Sequence, residues 1–206
     1  MKKILLLIFT MISVAVSAQS VDRNDVVISL APEISYSYYE NRDTTEVFGH
    51  GTDYWGLYAP LSLEYVLNRN FGVSADFNYQ RNFVGTSHPS NFTILDFGIG
   101  LRFHSASAVR RFSWVGELGA HYSKFHFDSH SNFLHWTANA NGFAIYSMLG
   151  VNMPIGPAGK FGIGIQATSS AGIYNNAKYE NDSGGAYNFK MKALSFAPGI
   201  TFYYKL

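Results

Sequence analysis

The sequence predicts an all-β protein, an eight-stranded antiparallel up-and-down transmembrane β-barrel, on three observations. A period-two alternation of apolar with small or polar side chains recurs eight times. The apolar member of every alternation is free of charge. The connections between the eight segments are short and long by turns, as a membrane barrel requires.

The first element is an address rather than part of the fold. Lys2 and Lys3 precede an apolar run from Ile4 to Val16, and Val16-Ser17-Ala18 offers small residues to signal peptidase. Residues 1–18 therefore read as a cleavable secretory signal, and 19–206 as the outer-membrane β-barrel domain. The run is too short to span a membrane as a helix, which takes roughly 18 residues or more. The chain of 206 residues has no cysteine, which excludes disulfides, thiolate metal sites and a lipid anchor on cysteine. Without Lys2 and Lys3 the 15 basic residues become 13, against 14 acidic ones, so nucleic acid is not an expected partner. Aromatic residues (17%) outnumber charged ones (14%), yet no second apolar run exists to make a membrane helix. A barrel resolves this, because each strand needs only about 9–11 residues and only its outward half must be apolar.

The segments follow in order. The first sets Ile28, Leu30, Pro32, Ile34, Tyr36 and Tyr38 against Ser29, Ala31, Glu33, Ser35 and Ser37. The second alternates Trp55 through Leu67 with Gly56, Tyr58, Pro60, Ser62 and Glu64. The third sets Phe71, Val73, Ala75, Phe77 and Tyr79 against Gly72, Ser74, Asp76, Asn78 and Gln80. In the fourth, Leu95 through Phe103 oppose Asp96, Gly98, Gly100 and Arg102. The fifth sets Phe112 through Tyr122 against Ser113 through Ser123, with Glu117 and His121 on the second face. The sixth runs over 142–153, with Phe143, Ile145 and Leu149 on the apolar side. The seventh alternates Phe161, Ile163, Ile165 and Ala167 with Gly162, Gly164, Gln166 and Thr168. The eighth runs from Leu194 to Leu206, with Phe202 and Tyr204 on the apolar face.

A soluble barrel would carry its apolar side chains inside and its charges outside. Here the second face holds Gly, Ser, Ala and a few carboxylates, which make no dry core, so the apolar face is the outer one. A Lys or Arg there would cost roughly 2–4 kcal/mol at the midplane. Parity thus predicts that Leu101→Arg impairs assembly and that Gly100→Ser, facing inward, is tolerated. Tyr36, Tyr38, Trp55, Tyr79, Tyr122 and Phe143 fall at one rim, and Tyr65, Phe71, Phe103, Phe112, Phe161, Phe202 and Tyr204 at the other. These are the two interface girdles. Asn68-Arg69-Asn70, Ser105 to Arg110 and 156–159 are the short, periplasmic connections. Glu40 to Asp53, Arg81 to Asn91, Lys124 to Asn139 and Asn175 to Asn188 are the long, outward ones.

From Val26 to Leu206 the chain resembles small outer-membrane β-barrel proteins of the OmpA/OmpX type, the outer membrane protein β-barrel domain family. That resemblance implies a last strand serving as an assembly signal, which Phe202 and Tyr204 match, though the chain ends in Leu206 rather than Phe or Trp. It also implies the Gram-negative outer membrane, with outer-membrane lipid and the barrel-assembly machinery as partners.

Four constellations are candidates for chemistry. Glu33, Glu64, Asp76, Asp96 and Glu117 point inward, with Arg102 and Lys205 as the inward cations. They form either a cation-conducting lumen or a structural polar core, and an eight-stranded interior is one that side chains fill. Arg102 is expected to bridge Glu117 or Glu64. His121 and Ser123 resemble the His-x-Ser of lipid A deacylase barrels. Both point inward, however, and no Glu or Asp lies on the outward face of the sixth segment. His126, Asp128 and His130, with His135 nearby, are competent metal ligands in type, but read as a solvated hairpin. Gly98-x-Gly100 and Gly162-x-Gly164 make room for larger neighbours. The reading is a non-enzymatic barrel in surface interaction or envelope integrity, with a possible extracellular ligand on its loops and no cofactor or metal. The alternatives are a narrow pore for small solutes and a lipid A-modifying enzyme.

Overall fold

The computed structural model describes residues 23–41, 52–83, 90–105, 112–130, 135–155, 160–181 and 186–206. The expected signal segment, and the connections at 106–111 and 156–159, lie outside them. The described residues form nine strands: β1 (Val26–Leu30), β2 (Glu33–Asn41), β3 (Thr52–Asn68), β4 (Phe71–Phe83), β5 (Ser90–His104), β6 (Ser113–His130), β7 (His135–Ile155), β8 (Phe161–Asn181) and β9 (Ala186–Lys205). All pairings are antiparallel; β3 to β9 pair in sequence order, and β1 and β2 each pair with both β3 and β9. They are two parts of one barrel strand, so the ring has eight members and is closed.

The interruption is a matter of proline. Pro32 has no N–H to give, and Pro60 on β3 and Pro198 on β9 stand within two residues of it in register. The ladder survives through Ala31 N–H to Pro60 O (3.0 Å) and Ile200 N–H to Pro32 O (3.2 Å). The register does not slip: Leu30 faces Leu61 before the break and Glu33 faces Tyr58 after it.

Partners followed once around the ring from Ser29 run through Ser62, Asp76, Gly98, His121, Ala144, Gly172 and Ala193 to Tyr39. Tyr39 lies ten residues beyond Ser29, and this stagger tilts the strands by roughly 35–45° to the axis. Both described chain ends meet at one rim, where Leu206 N–H donates to Val26 O. The β3–β4 turn sits there too, with Asn68 Oδ1 accepting from the N–H groups of Asn70 and Phe71.

The outer face carries Ile34, Leu57, Phe97, Ile99, Leu101, Leu118, Ile145, Ile165, Leu194 and Ile200, all exposed. At one border Tyr36 meets Trp55 (5.2 Å between ring centres) and Tyr122 meets Phe143 (5.8 Å); at the other Phe71 meets Phe103 (5.3 Å). The parity read from the sequence thus sets the faces through the belt.

The strand ends differ from expectation. The segments from Lys124 and up to Asn139, read as a loop, are strand to His130 and again from His135. Likewise β8 continues to Asn181 and β9 begins at Ala186. Above the upper aromatic border both faces change character. Lys124, His126, Asn139, Asn141, Lys178 and Lys190 face outward, while Phe92, Ile94, Phe125, Phe127, Tyr174 and Met191 face inward. This upper section is built like a soluble barrel, with a dry centre and a wet surface. In β8 the change needs a bulge: Tyr174 faces Met191, but Ala177 faces Phe189. The extra residue at Asn175–Asn176 returns Ala177 to the interior, where it is fully buried.

Candidate functional site

The interior is the site of interest, because the strands direct onto it Glu33, Glu64, Asp76, Asp96 and Glu117. Arg102 on β5 lies directly opposite Glu117 on β6, so their side chains share the inner face at one level. The guanidinium Nε donates to Glu117 Oε2 at 2.8 Å, and Nη2 bonds the same oxygen. Nη2 also donates to Ser62 Oγ (2.8 Å), and Nη1 lies 3.4 Å from both Glu64 Oε2 and Ser29 Oγ. The expected bridge therefore has both candidate partners. His104, two residues along β5, bonds the other oxygen of Glu64 through Nε2. Arg102, Glu64 and Glu117 are all buried, so the fork meets its two carboxylates away from water.

Glu117 is tied to Asp76 through two hydroxyls. Ser74 Oγ and Tyr146 OH each bond Glu117 Oε1, and they reach Asp76 Oδ2 at 3.0 and 2.6 Å. Two hydroxyl protons thus serve two carboxylate oxygens that would otherwise repel. The ring of Tyr146 reaches this position over glycine: a Cβ on Gly119 would lie 2.2 Å from it. A Cβ on Gly100 would meet Glu117 Oε1, Tyr146 OH and Ser74 Oγ at 2.3–2.7 Å. Gly100 does make room for larger neighbours, and those neighbours now fill it. The expectation that Gly100→Ser is tolerated is corrected accordingly.

Glu33 and Asp96 stand apart from the arginine. Glu33 accepts from Gln166 Nε2 (2.6 Å) and Thr168 Oγ1 (3.1 Å), while its Oε2 has no hydrogen-bond partner among the described residues. Asp96, opposite Ser123, likewise keeps Oδ1 unpartnered. Lys205, expected as a second inward cation, is half-buried at the rim.

His121 and Ser123 are both buried. His121 stacks on Tyr146 at 3.8 Å and takes a hydrogen bond from Asn78 through Nδ1. Its proton then sits on Nε2, 4.0 Å from Asp76 Oδ2. Ser123 Oγ bonds Tyr174 OH at 2.7 Å, not the histidine. His126 is exposed, with Nδ1 2.8 Å from Asn139 Oδ1. The side chains of His130 and His135 lie outside the described ones, and no group of metal ligands forms among the described residues.

Above the polar layer the lumen is closed by rings. Tyr39 packs edge-on against Phe92 (4.7 Å) and Tyr54 (5.5 Å), and Phe125 joins Phe92 (5.6 Å) and Tyr174 (5.9 Å). Asn82 links this plug to the layer below, donating to Tyr39 OH and accepting from Gln80 and Ser35. Sequence reasoning missed His104, Tyr146 and the plug. The parity that held Glu117, His121 and Ser123 inward continues unbroken to Phe125 and Phe127, and was the signal for it.

No family model and no curated protein sequence matches the chain. Among solved structures it is similar to the outer membrane protein OprG from Pseudomonas aeruginosa, at 14% identity and a TM-score of 0.55, over 92% of this chain and 98% of that one. It is also similar to the outer membrane protease OmpT from Escherichia coli, at 8% identity and a TM-score of 0.56, over 88% and 97%. The fold is thus that of the small outer-membrane β-barrels.

Proposed function

We propose that the chain is a non-enzymatic, non-conducting barrel of the Gram-negative outer membrane, acting through the face it presents to the outside. The observation that carries this is a lumen filled twice over. An ion-paired layer around Arg102 lies below, and the aromatic plug around Phe92 lies above. The outer band supports a lipid environment, since an apolar surface on every strand has no reason to exist in water. The fold it shares with OprG and OmpT fits that location. The long connections then face outward and the short ones the periplasm. With its pore closed and its polar crown above the lipid, the surface left for partners is the outer one. The lipid A-modifying alternative loses its support at His121 and Ser123, which are buried and committed to different neighbours.

Planar-bilayer recording tests this against the narrow-pore reading. The reconstituted protein is expected to give no stable conductance, and Phe92→Ala with Tyr39→Ala to raise the frequency of openings. Steady, cation-selective steps from the unaltered protein would establish the pore instead.

A further inference from the structure

Just above the upper aromatic border, one arc of the outer surface carries cations and amides with no carboxylate among them. Arg81 on β4 pairs with Thr93 on β5, which pairs with His126 on β6. Two residues down, Lys124 on β6 pairs with Asn141 on β7, which pairs with Asn175 on β8. Arg81, Lys124, Asn141 and Asn175 are exposed and Thr93 is half-buried. The stagger of the ring brings Arg81, Thr93 and Lys124 to nearly one height, with the lipid-facing Tyr79, Tyr122 and Phe143 directly beneath.

Arg81 and Lys124 are two strands apart, about 10 Å across β5. Among the described residues neither is ion-paired, whereas two other outward cations nearby, Lys178 and Lys192, each have a carboxylate beside them. Lys178 pairs with Glu180, and Lys192 lies directly opposite Glu40. The Arg81 guanidinium is steadied by the ring of Phe83, 5.8 Å away, which leaves its fork of donors free to face outward. All the outward polar groups of the arc can donate hydrogen bonds, and none is a carboxylate. A planar fork, an ammonium and flanking amides are the set that holds phosphate oxygens.

We propose that this arc binds the phosphate of a lipid headgroup in the outer leaflet, with Arg81 and Lys124 as its two charged contacts. The inference rests on the membrane reading given above. The occupant is a lipid because the arc continues the apolar belt: a molecule seated on Tyr79, Tyr122 and Phe143 by its chains brings its headgroup to this height. Thr93 and Asn141 then contact the same headgroup between and beside the two cations.

The experiment uses the full barrel folded in detergent and diphosphorylated lipid A as probe, with the same lipid stripped of phosphate beside it. Binding is counted by native mass spectrometry, and the unboiled gel band reports folding in every arm. R81Q with K124Q is expected to weaken binding of the phosphorylated probe by about tenfold or more, the scale of a lost charge-assisted contact. K178Q with K190Q removes the same charge from the neighbouring face and is expected to stay within about twofold. Equal losses in both double variants, or equal binding of the two probes, would overturn the site. Displacement by millimolar inorganic phosphate would make it a free-anion site and overturn the lipid assignment. A parent protein that never yields the compact unboiled band would take down the membrane reading, and this inference with it. A compact band without phosphate selectivity would take down this inference alone.

Discussion

Arg102 shows how far single residues were legible. Its bond to Glu117 follows from register, since two inward residues directly opposite on neighbouring strands must meet. Its reach to Ser62 and Glu64 skips β4 altogether, and depends on Gly72 beneath Glu64, where a Cβ would lie 2.0 Å from the carboxylate. The bridge to Glu64 was expected, whereas the contact with Ser62 and the glycine beneath Glu64 have no sequence period and could not be read. Arg102→Met strands two buried carboxylates and is expected to cost ~3–5 kcal/mol in a urea refolding assay. Adding Glu117→Gln should recover part of it. A loss under about 0.5 kcal/mol, as at an exposed site, would mean that the bridge contributes nothing. The glycines offer a companion test. Gly100→Ala crowds three hydrogen-bonding atoms and is expected to cost ~1–3 kcal/mol. Gly116→Ala, on the outer face with its nearest atom at 3.8 Å, should be close to neutral. Equal melting of both variants would contradict the packing described.

At the scale of the strand, faces were legible and ends were not. Alternation fixed which residues of β3 to β9 point outward, because one slip would turn every belt residue inward. The ends were misplaced because the rule was apolar outside, and above the upper aromatic border that rule reverses. Lys124, His126 and Asn139 then look like loop residues, although their neighbours Phe125, Phe127 and Ala138 are a core. The bulge at Asn175–Asn176 adds a parity change that no pattern in β8 announces. The reversal predicts a sharp contrast between adjacent residues of β6. Phe125→Ala should lower stability by ~3–5 kcal/mol, as a buried ring does. His126→Ala should stay within about 0.5 kcal/mol. Urea midpoints that move together would return this section to a loop.

The whole molecule is defined by closure. Every described strand has a partner on both sides, so the ladder has no free edge. The protein is expected to resist SDS until heated and to migrate faster unboiled than boiled; identical migration would argue against a closed ring. Leu101→Arg, in mid-belt, should reduce the compact band by putting a charge in lipid, at ~2–4 kcal/mol. The closed ring was legible because it follows from composition and period, which act over all eight strands at once. The filling of the lumen was not, since it is decided by which side chains meet across it.

The three prolines at the junction of β9, the first strand and β3 make that ring uneven. A proline removes one amide proton from the ladder, and Pro32, Pro60 and Pro198 do so at one level on three adjacent strands. Thermal opening should therefore begin here, as a local parting of β1 and β2 from their neighbours while β5 to β8 stay zipped. Deuterium uptake would read it directly. Amides at Ala31 and Ile200 should exchange well before those at Ile99 and Ala120, which sit in uninterrupted ladder on the far wall. The rate at which the barrel comes apart would then be set at this one weak seam, and Pro60→Ala, by restoring a donor opposite Ala31, should slow it.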